Sequence, residues 1–199
     1  MLFFLVGCLP LPYVAPPLDL GVAVDPRPTI GRHGPNGWPQ ELDLRGGVAP
    51  LAFIDEWQDR RWDPTAGVIA ELDGPIEDFS RYGGYLRVAY RTARKDRGNN
   101  FVCIEPRGTL DVTTTDHGGV GGRLLGGVNF RAGGWTEAEP TAEFDGNGGF
   151  VGVAHGEWGV SAGVDLGVAV EGGQAAPSLL VGVEFRPPAA AGVLFVPIW

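Results

Sequence analysis

Lysine is almost missing from this chain: of fifteen basic residues in 199, only Lys95 is a lysine. Exposed faces and edges of water-soluble sheets usually carry lysine, so its scarcity counts against an ordinary solvated β surface. Cysteine is limited to Cys8 and Cys103, too few for a disulfide framework. Histidine is limited to His33, His117 and His155, and serine to Ser80, Ser161 and Ser178. Ser161 has G-x-S-x-G spacing in Gly159–Gly163, but it falls inside an alternating strand run rather than at the strand-to-helix turn of a nucleophile elbow, and the chain has no phosphate loop or paired-cysteine metal site. No apolar run reaches the roughly eighteen residues of a transmembrane helix. Helical periodicity of useful length is also lacking. A net charge of −9 argues against nucleic acid as a partner and against charge-driven binding to an anionic surface.

What the chain has in quantity is glycine, 33 residues, within a composition that is 44% hydrophobic. There is no collagen-like period, and the apolar content is too high for disorder. The organising signal is alternation with period two, the signature of a strand with unlike faces. It is clearest in Val160–Glu171, where Val160, Ala162, Val164, Leu166, Val168 and Val170 alternate with Ser161, Gly163, Asp165, Gly167, Ala169 and Glu171. Similar runs begin near Leu18, Leu42, Ala66, Leu86, Val102, Val120, Ala142 and Leu179, and an apolar run, Gly192–Trp199, comes last. They recur every roughly eighteen residues between Gly, Asp, Asn and Pro turns, which reads as an all-β chain of hairpins. KDRGNN (Lys95–Asn100) and DGNGG (Asp145–Gly149) are the sharpest turn signals, and Pro106 marks a bulge or kink. Residues 132–141 and the segment Asp73–Gly84 read as loops, as does the charged stretch DEWQDRRWD. Leu9–Pro17 reads as an extended, proline-rich spacer.

Sorting the runs by face separates the chemistry. The aliphatic faces carry no charge. The opposite faces carry Asp43, Arg45, Glu71, Arg87, Arg91, Glu105, Arg107, Asp111, Arg123, Arg131, Glu143, Asp165, Glu171, Glu184 and Arg186. A soluble sandwich or barrel would turn these charges to water. Three features point the other way. Many runs reach the roughly nine to eleven residues that cross a bilayer as a tilted strand. Gly121, Gly127, Gly163, Gly167 and Gly182 lie on the charged face, where they make room inside a narrow barrel. Trp57, Trp62, Tyr82, Tyr85, Trp135, Trp158 and Trp199 fall at or near run ends, as interfacial belts require. Near-equal numbers of arginines and carboxylates could neutralise each other in a closed lumen.

In this pattern, from Leu18 to Trp199, the chain resembles the small outer-membrane β-barrel proteins of Gram-negative bacteria. LLVGVEFR (Leu179–Arg186) looks like a closing strand of that family, and Trp199 looks like the terminal aromatic that the insertion machinery reads. The resemblance implies an antiparallel up-and-down transmembrane β-barrel of eight to ten strands over 18–199. It implies location in the cell outer membrane, with the lipid bilayer and the barrel-insertion machinery as partners. At that strand number side chains can fill the lumen. The expectation is therefore a non-enzymatic envelope or surface-interaction protein, with a filled lumen or a narrow channel, present as a monomer. Its rivals are a soluble secreted β-barrel binding a small apolar ligand and a barrel-type hydrolase or lipid-modifying enzyme. In residues 1–17, Leu5-Val6-Gly7-Cys8 resembles the bacterial lipoprotein processing box, which implies export and lipidation of Cys8. No Lys or Arg precedes its apolar run, so a start further upstream stays open.

Catalytic and metal options are thin. Asp116-His117 could be half of an acid–base pair, but sits in a turn. His155 beside Glu157 offers two metal ligands where a site needs more. Asp145–Gly148 faintly resembles a calcium loop without its downstream glutamate. Cys103 is expected as a small buried thiol beside Glu105 and Arg107. No cofactor and no metal are expected.

Overall fold

A computed structural model describes residues 8–25, 41–53, 60–73, 78–115, 119–145, 148–171 and 173–197. The strands are β1 (Cys8–Ala15), β2 (Leu18–Asp25), β3 (Glu41–Val48), β4 (Trp62–Asp73), β5 (Asp78–Tyr90) and β6 (Thr92–Arg97). There follow β7 (Asn100–Thr115), β8 (Val120–Asp145), β9 (Gly148–Glu171), β10 (Gln174–Arg186) and β11 (Ala189–Pro197). Among the described residues the only helical element is one 3-10 turn, Pro50–Phe53.

Each alternating run became a strand because its two faces differ in what they can touch. Neighbours pair antiparallel in the order β2, β3, β4, β5, β7, β8, β9, β10. β10 then returns to β2, with Val181 opposite Val24 and Phe185 opposite Leu20. The wall is a closed antiparallel barrel of eight strands. The run Leu179–Arg186 lies in β10 and closes it, as its pattern suggested. Trp199 and Trp57 lie outside the described residues.

The two end segments extend the wall. β1 pairs β11, and β11 pairs the first half of β9, whose other edge holds the last part of β8. The registers show that β1 and β2 follow one line along β11 and β10, broken at Pro16-Pro17. β10 and β11 follow one line along β9, broken at Pro187-Pro188. Proline fixes φ and removes a ladder donor, so each pair interrupts the strand without redirecting it. β9 breaks at the same level, at Gly156 with φ of 108°, and β8 shifts register between Thr136 and Glu139. A side chain at Gly156 would press on the Ala52 carbonyl at 2.7 Å, and φ there suits only glycine. The four breaks form a seam between the barrel and a four-stranded extension.

Several sequence expectations change here. The proline-rich spacer is strand β1 over Cys8–Ala15, its backbone held by β11. The presumed loop at 132–141 is strand, because Gly133 lets β8 approach β9 more closely than any side chain would allow. The charged stretch DEWQDRRWD gives up Trp62 and Asp63 to β4, and the Asp73–Gly84 loop gives up residues 78–84 to β5. Leu51 and Phe53 lie in the 3-10 turn. Pro106 introduces no bulge toward β8, where it faces Val128; on the other side it coincides with the break between β5 and β6 at Arg91. Tyr85 and Trp135, expected at the interface, are buried on the inner side. KDRGNN turns through Gly98 at φ 60°, and Asp145 faces Gly148 across a two-residue connection, as the turn signals required.

Candidate functional site

The inner face of the barrel is its core, and that core is ionic. Toward the end where β2 meets β3, Arg123 reaches Asp43 at 2.8 Å, Glu71 at 2.6 Å and Asp111 at 3.0 Å. Arg45 donates to Asp111 at 3.0 Å and lies 5.6 Å from the Tyr85 ring centre. Arg81 adds a contact to Glu71 at 3.6 Å. In the middle, Arg107 grips Asp165 with two bonds: Nε to Oδ1 at 2.8 Å and Nη2 to Oδ2 at 2.6 Å. Its Nη1 donates to Glu184 at 2.6 Å, and Arg87 bridges Glu184 and Asp19. Toward the 3-10 turn, Arg186 meets Asp19, Asp63 and Glu157, and Arg91 meets Glu105, Asp63 and the same Glu157. Arg131 donates to Glu105 at 3.0 Å, and Arg60 to Glu157 at 2.6 Å and to the Leu51 carbonyl.

Two consequences follow from where these residues stand. Among the described side chains, nine arginines (45, 60, 81, 87, 91, 107, 123, 131, 186) meet nine carboxylates (19, 43, 63, 71, 105, 111, 157, 165, 184), so the charges of this network match. An ion taken out of water costs several kcal/mol unless matched in this way. The second consequence is mechanical. β5 and β10 are diametrically opposite, as are β3 and β8. Arg87–Glu184 and Arg123–Asp43 therefore run across the lumen rather than along its wall.

The small residues at the wall make this geometry possible. A side chain at Gly127 would collide with Asp165, and one at Gly163 would collide with the Asn129 amide. At Gly47 it would collide with the Tyr85 hydroxyl.

The outer face is the inverse. In the guiding strand, Val164, Leu166 and Val168 are 42%, 61% and 47% exposed, while Asp165 is 2% exposed. Among the described residues, no outward position on the barrel part of the eight wall strands carries a charge; on β6, which continues the line of β5, Lys95 faces outward beside Val102. Trp62 packs at a tilt against Tyr90, ring centres 4.8 Å apart, on this face, and Tyr82 and Trp158 are exposed toward its two ends. The out-facing run on β7, from Val102 to Val112, spans ten residue steps. At about 3.3 Å per step and about 40° tilt that is a band of roughly 25 Å.

Of the charged positions expected on the inner face, thirteen gather there: Asp43, Arg45, Glu71, Arg87, Arg91, Glu105, Arg107, Asp111, Arg123, Arg131, Asp165, Glu184 and Arg186. Glu143 does not. It is exposed on β8 beyond the seam, where the barrel has already ended. Glu171 ends β9, and its side chain lies outside the described residues. Asp19, Asp63, Glu157, Arg60 and Arg81 complete the network without having been singled out. Asp19 and Glu157 were accessible to the alternation itself, two steps before Gly21 and Gly159.

The remaining candidates separate. His155 packs edge-on against Trp135 at 5.1 Å, while Glu157 turns to the arginines, so the two do not converge. Cys103 is buried, 3.7 Å from Glu105, with Phe101 and Trp135 in its cluster. Asp116 and His117 lie outside the described residues, as does the side chain of Cys8. Among the described residues no group of three or more His, Cys, Asp or Glu could hold a metal ion. Comparison of the chain with protein-family models, curated proteins and solved structures gave no match.

Proposed function

We propose that this chain is an outer-membrane β-barrel of the Gram-negative type, non-enzymatic, with a lumen closed by cross-barrel ion pairs. In this reading it serves the envelope as a structural or surface-interaction protein rather than as a route for bulk transport. The observation that carries the proposal is the inversion of the barrel: charge-free aliphatic residues outside, a neutral ionic core inside. In water the outer face would be an apolar patch far larger than the few hundred Å² that a soluble monomer exposes. Against lipid it is satisfied, and its height of roughly 25 Å matches the apolar band of such barrels. The soluble ligand-binding rival calls for an apolar interior, and the interior has little apolar surface to offer.

Cell fractionation tests the placement. The protein is expected in the outer-membrane fraction and in solution only with detergent; recovery as a soluble protein without detergent would refute it. Planar-bilayer recording tests the closure. Silence is expected, and steady conductance would replace the closed reading with a narrow channel.

A further inference from the structure

The charge-free outer wall has an exception at one rim. Among the described residues three basic side chains are exposed, Arg61, Lys95 and Arg97, and they lie on adjoining segments at the seam end of the wall. The Arg91 N–H donates to the Arg61 carbonyl at 2.8 Å, which ties the approach to β4 to the start of β6. The net charge of −9 describes the whole chain, and this rim has the opposite sign.

A local irregularity produces that sign. Thr92 faces Ile104 and Lys95 faces Val102, three steps on β6 against two on β7. Ala93 absorbs the extra residue at φ 45°, a left-handed conformation that side chains other than glycine rarely adopt. The bulge exchanges the faces of every residue after it on β6. Without it, Arg94 and Asp96 would share the outer face with Thr92 as a neutral pair. With it, Arg94 lies over the inward Phe101 ring at 4.9 Å and donates to Asp96 at 2.7 Å. Lys95 and Arg97 stand outward beside Val102 and Asn100, and β6 carries no carboxylate on that face. Strain held at a surface position in this way points to a function for the side chains it presents.

The outward column along β5 and β6 is graded. It runs Leu86, Val88, Tyr90, Thr92, Lys95, Arg97, from aliphatic through aromatic and hydroxyl to cationic. Trp62 packs beside Tyr90 at the change. Lys95 is level with Val102, where the apolar band of β7 ends, and Arg97 stands two residues further. At about 40° tilt that is roughly 5 Å higher. A bilayer of about 40–45 Å around a hydrocarbon core of about 30 Å leaves roughly 5–7 Å for each headgroup layer. With the barrel seated as proposed above, on which this inference rests, both cations fall in that layer.

We propose that Lys95 and Arg97, with Arg61 beside them, form a site for the phosphate of an anionic lipid in the leaflet at the seam end. Two residues apart on one face places their Cα atoms roughly 6–7 Å apart, so both long side chains reach one phosphate group. Trp62 and Tyr90 lie where the upper acyl chains of that lipid begin. Each basic residue at an anionic lipid surface strengthens binding by about fivefold. Charges on β6 also guard a free edge, since among the described residues its far side is unpaired. Arg94 and Asp96 turned outward would guard it equally well, and would need no bulge.

The test uses the full chain in detergent, titrated with phosphatidate or with phosphatidylcholine of the same acyl chains. Native mass spectrometry counts the lipid retained. The parent should prefer phosphatidate by about tenfold or more. Lys95→Gln with Arg97→Gln should remove the preference, and Lys95→Arg with Arg97→Lys should keep it. Both variants should match the parent in heat-dependent gel mobility, because neither side chain belongs to the ionic core. A parent without preference overturns the site. A preference that survives the double glutamine variant overturns it too, and leaves the two cations as edge guards. Displacement of phosphatidate by inorganic phosphate at equal concentration would make this a free-anion site and overturn the lipid assignment. Flotation with phosphatidylcholine vesicles separates the two levels. A chain that floats but shows no preference refutes only the headgroup site, whereas a chain that does not float refutes the membrane reading beneath it.

Discussion

Asp165 offers the sharpest measurement of what the ionic core contributes. Its two oxygens take two of the donors of Arg107, at 2.8 and 2.6 Å, and the group is almost completely buried. Asp165→Asn keeps the shape, removes the charge and turns an amide NH₂ toward a guanidinium. Removing one partner of a buried pair costs about 3–5 kcal/mol. Arg107 retains Glu184 at 2.6 Å, so the expected loss is at the lower end, about 3 kcal/mol. Arg107→Met strands Asp165 instead, with Glu184 still held by Arg87. In the double variant both ends of the pair are gone, and the loss should fall short of the sum of the singles by about 2 kcal/mol or more. The assay is equilibrium urea unfolding of the barrel in lipid vesicles, followed by tryptophan fluorescence and by heat-dependent gel mobility. A loss for Asp165→Asn below about 0.5 kcal/mol, or simple additivity, would refute the reasoning. It would mean that water fills the lumen and screens its charges.

Three further outcomes follow from the same geometry. Leu124→Arg, at a position 67% exposed on the outer wall, should cost about 2–4 kcal/mol in vesicles. An ordinary surface site would shift stability by only about 0.5 kcal/mol, so the same unfolding assay separates lipid from water at that face. Gly163→Val should destabilise the barrel by about 1–3 kcal/mol or prevent folding, because its Cβ falls on the Asn129 amide; a wild-type unfolding midpoint would contradict the packing. Pro12→Val should restore a ladder donor on β1 and speed the formation of thioflavin-positive aggregates with little change in unfolding midpoint; unchanged aggregation would show that the edge is not protected by its prolines.

The alternation around Asp165 was enough to separate two unlike faces, since a period of two needs only a few residues to declare itself, but which face was inside took the run lengths, the glycines of the charged face and the aromatics at the run ends. It also placed Arg107, Arg123 and Arg186 correctly without any knowledge of their partners. The partners themselves were hidden, because Arg186 meets an aspartate near the other end of the chain, and no local pattern carries that distance. Asp63 was lost to a run of charges that looks like a loop, yet its strand starts at the preceding Trp62. Gly133-Gly134, Pro16-Pro17 and Pro187-Pro188 look like chain breaks to a local reading. Here the glycines admit a close neighbour, and each proline pair is a pause in a strand that resumes. Glu143 shows the opposite error: its parity was right, but the barrel had ended before it.

The pairing of β2 with β10 sets a condition on how the molecule comes into being. Val24 waits for Val181, and Arg87 and Asp19 wait for Glu184 and Arg186. Until β10 has been made, every partly built wall exposes aliphatic residues on one side and unmatched arginines on the other. No fragment that stops short of Arg186 can close the barrel. Closure depends on contacts between distant parts of the chain, which form slowly and leave intermediates prone to aggregation. The chain therefore has to be kept unfolded until its end is available, and then has to acquire wall and core in one cooperative step.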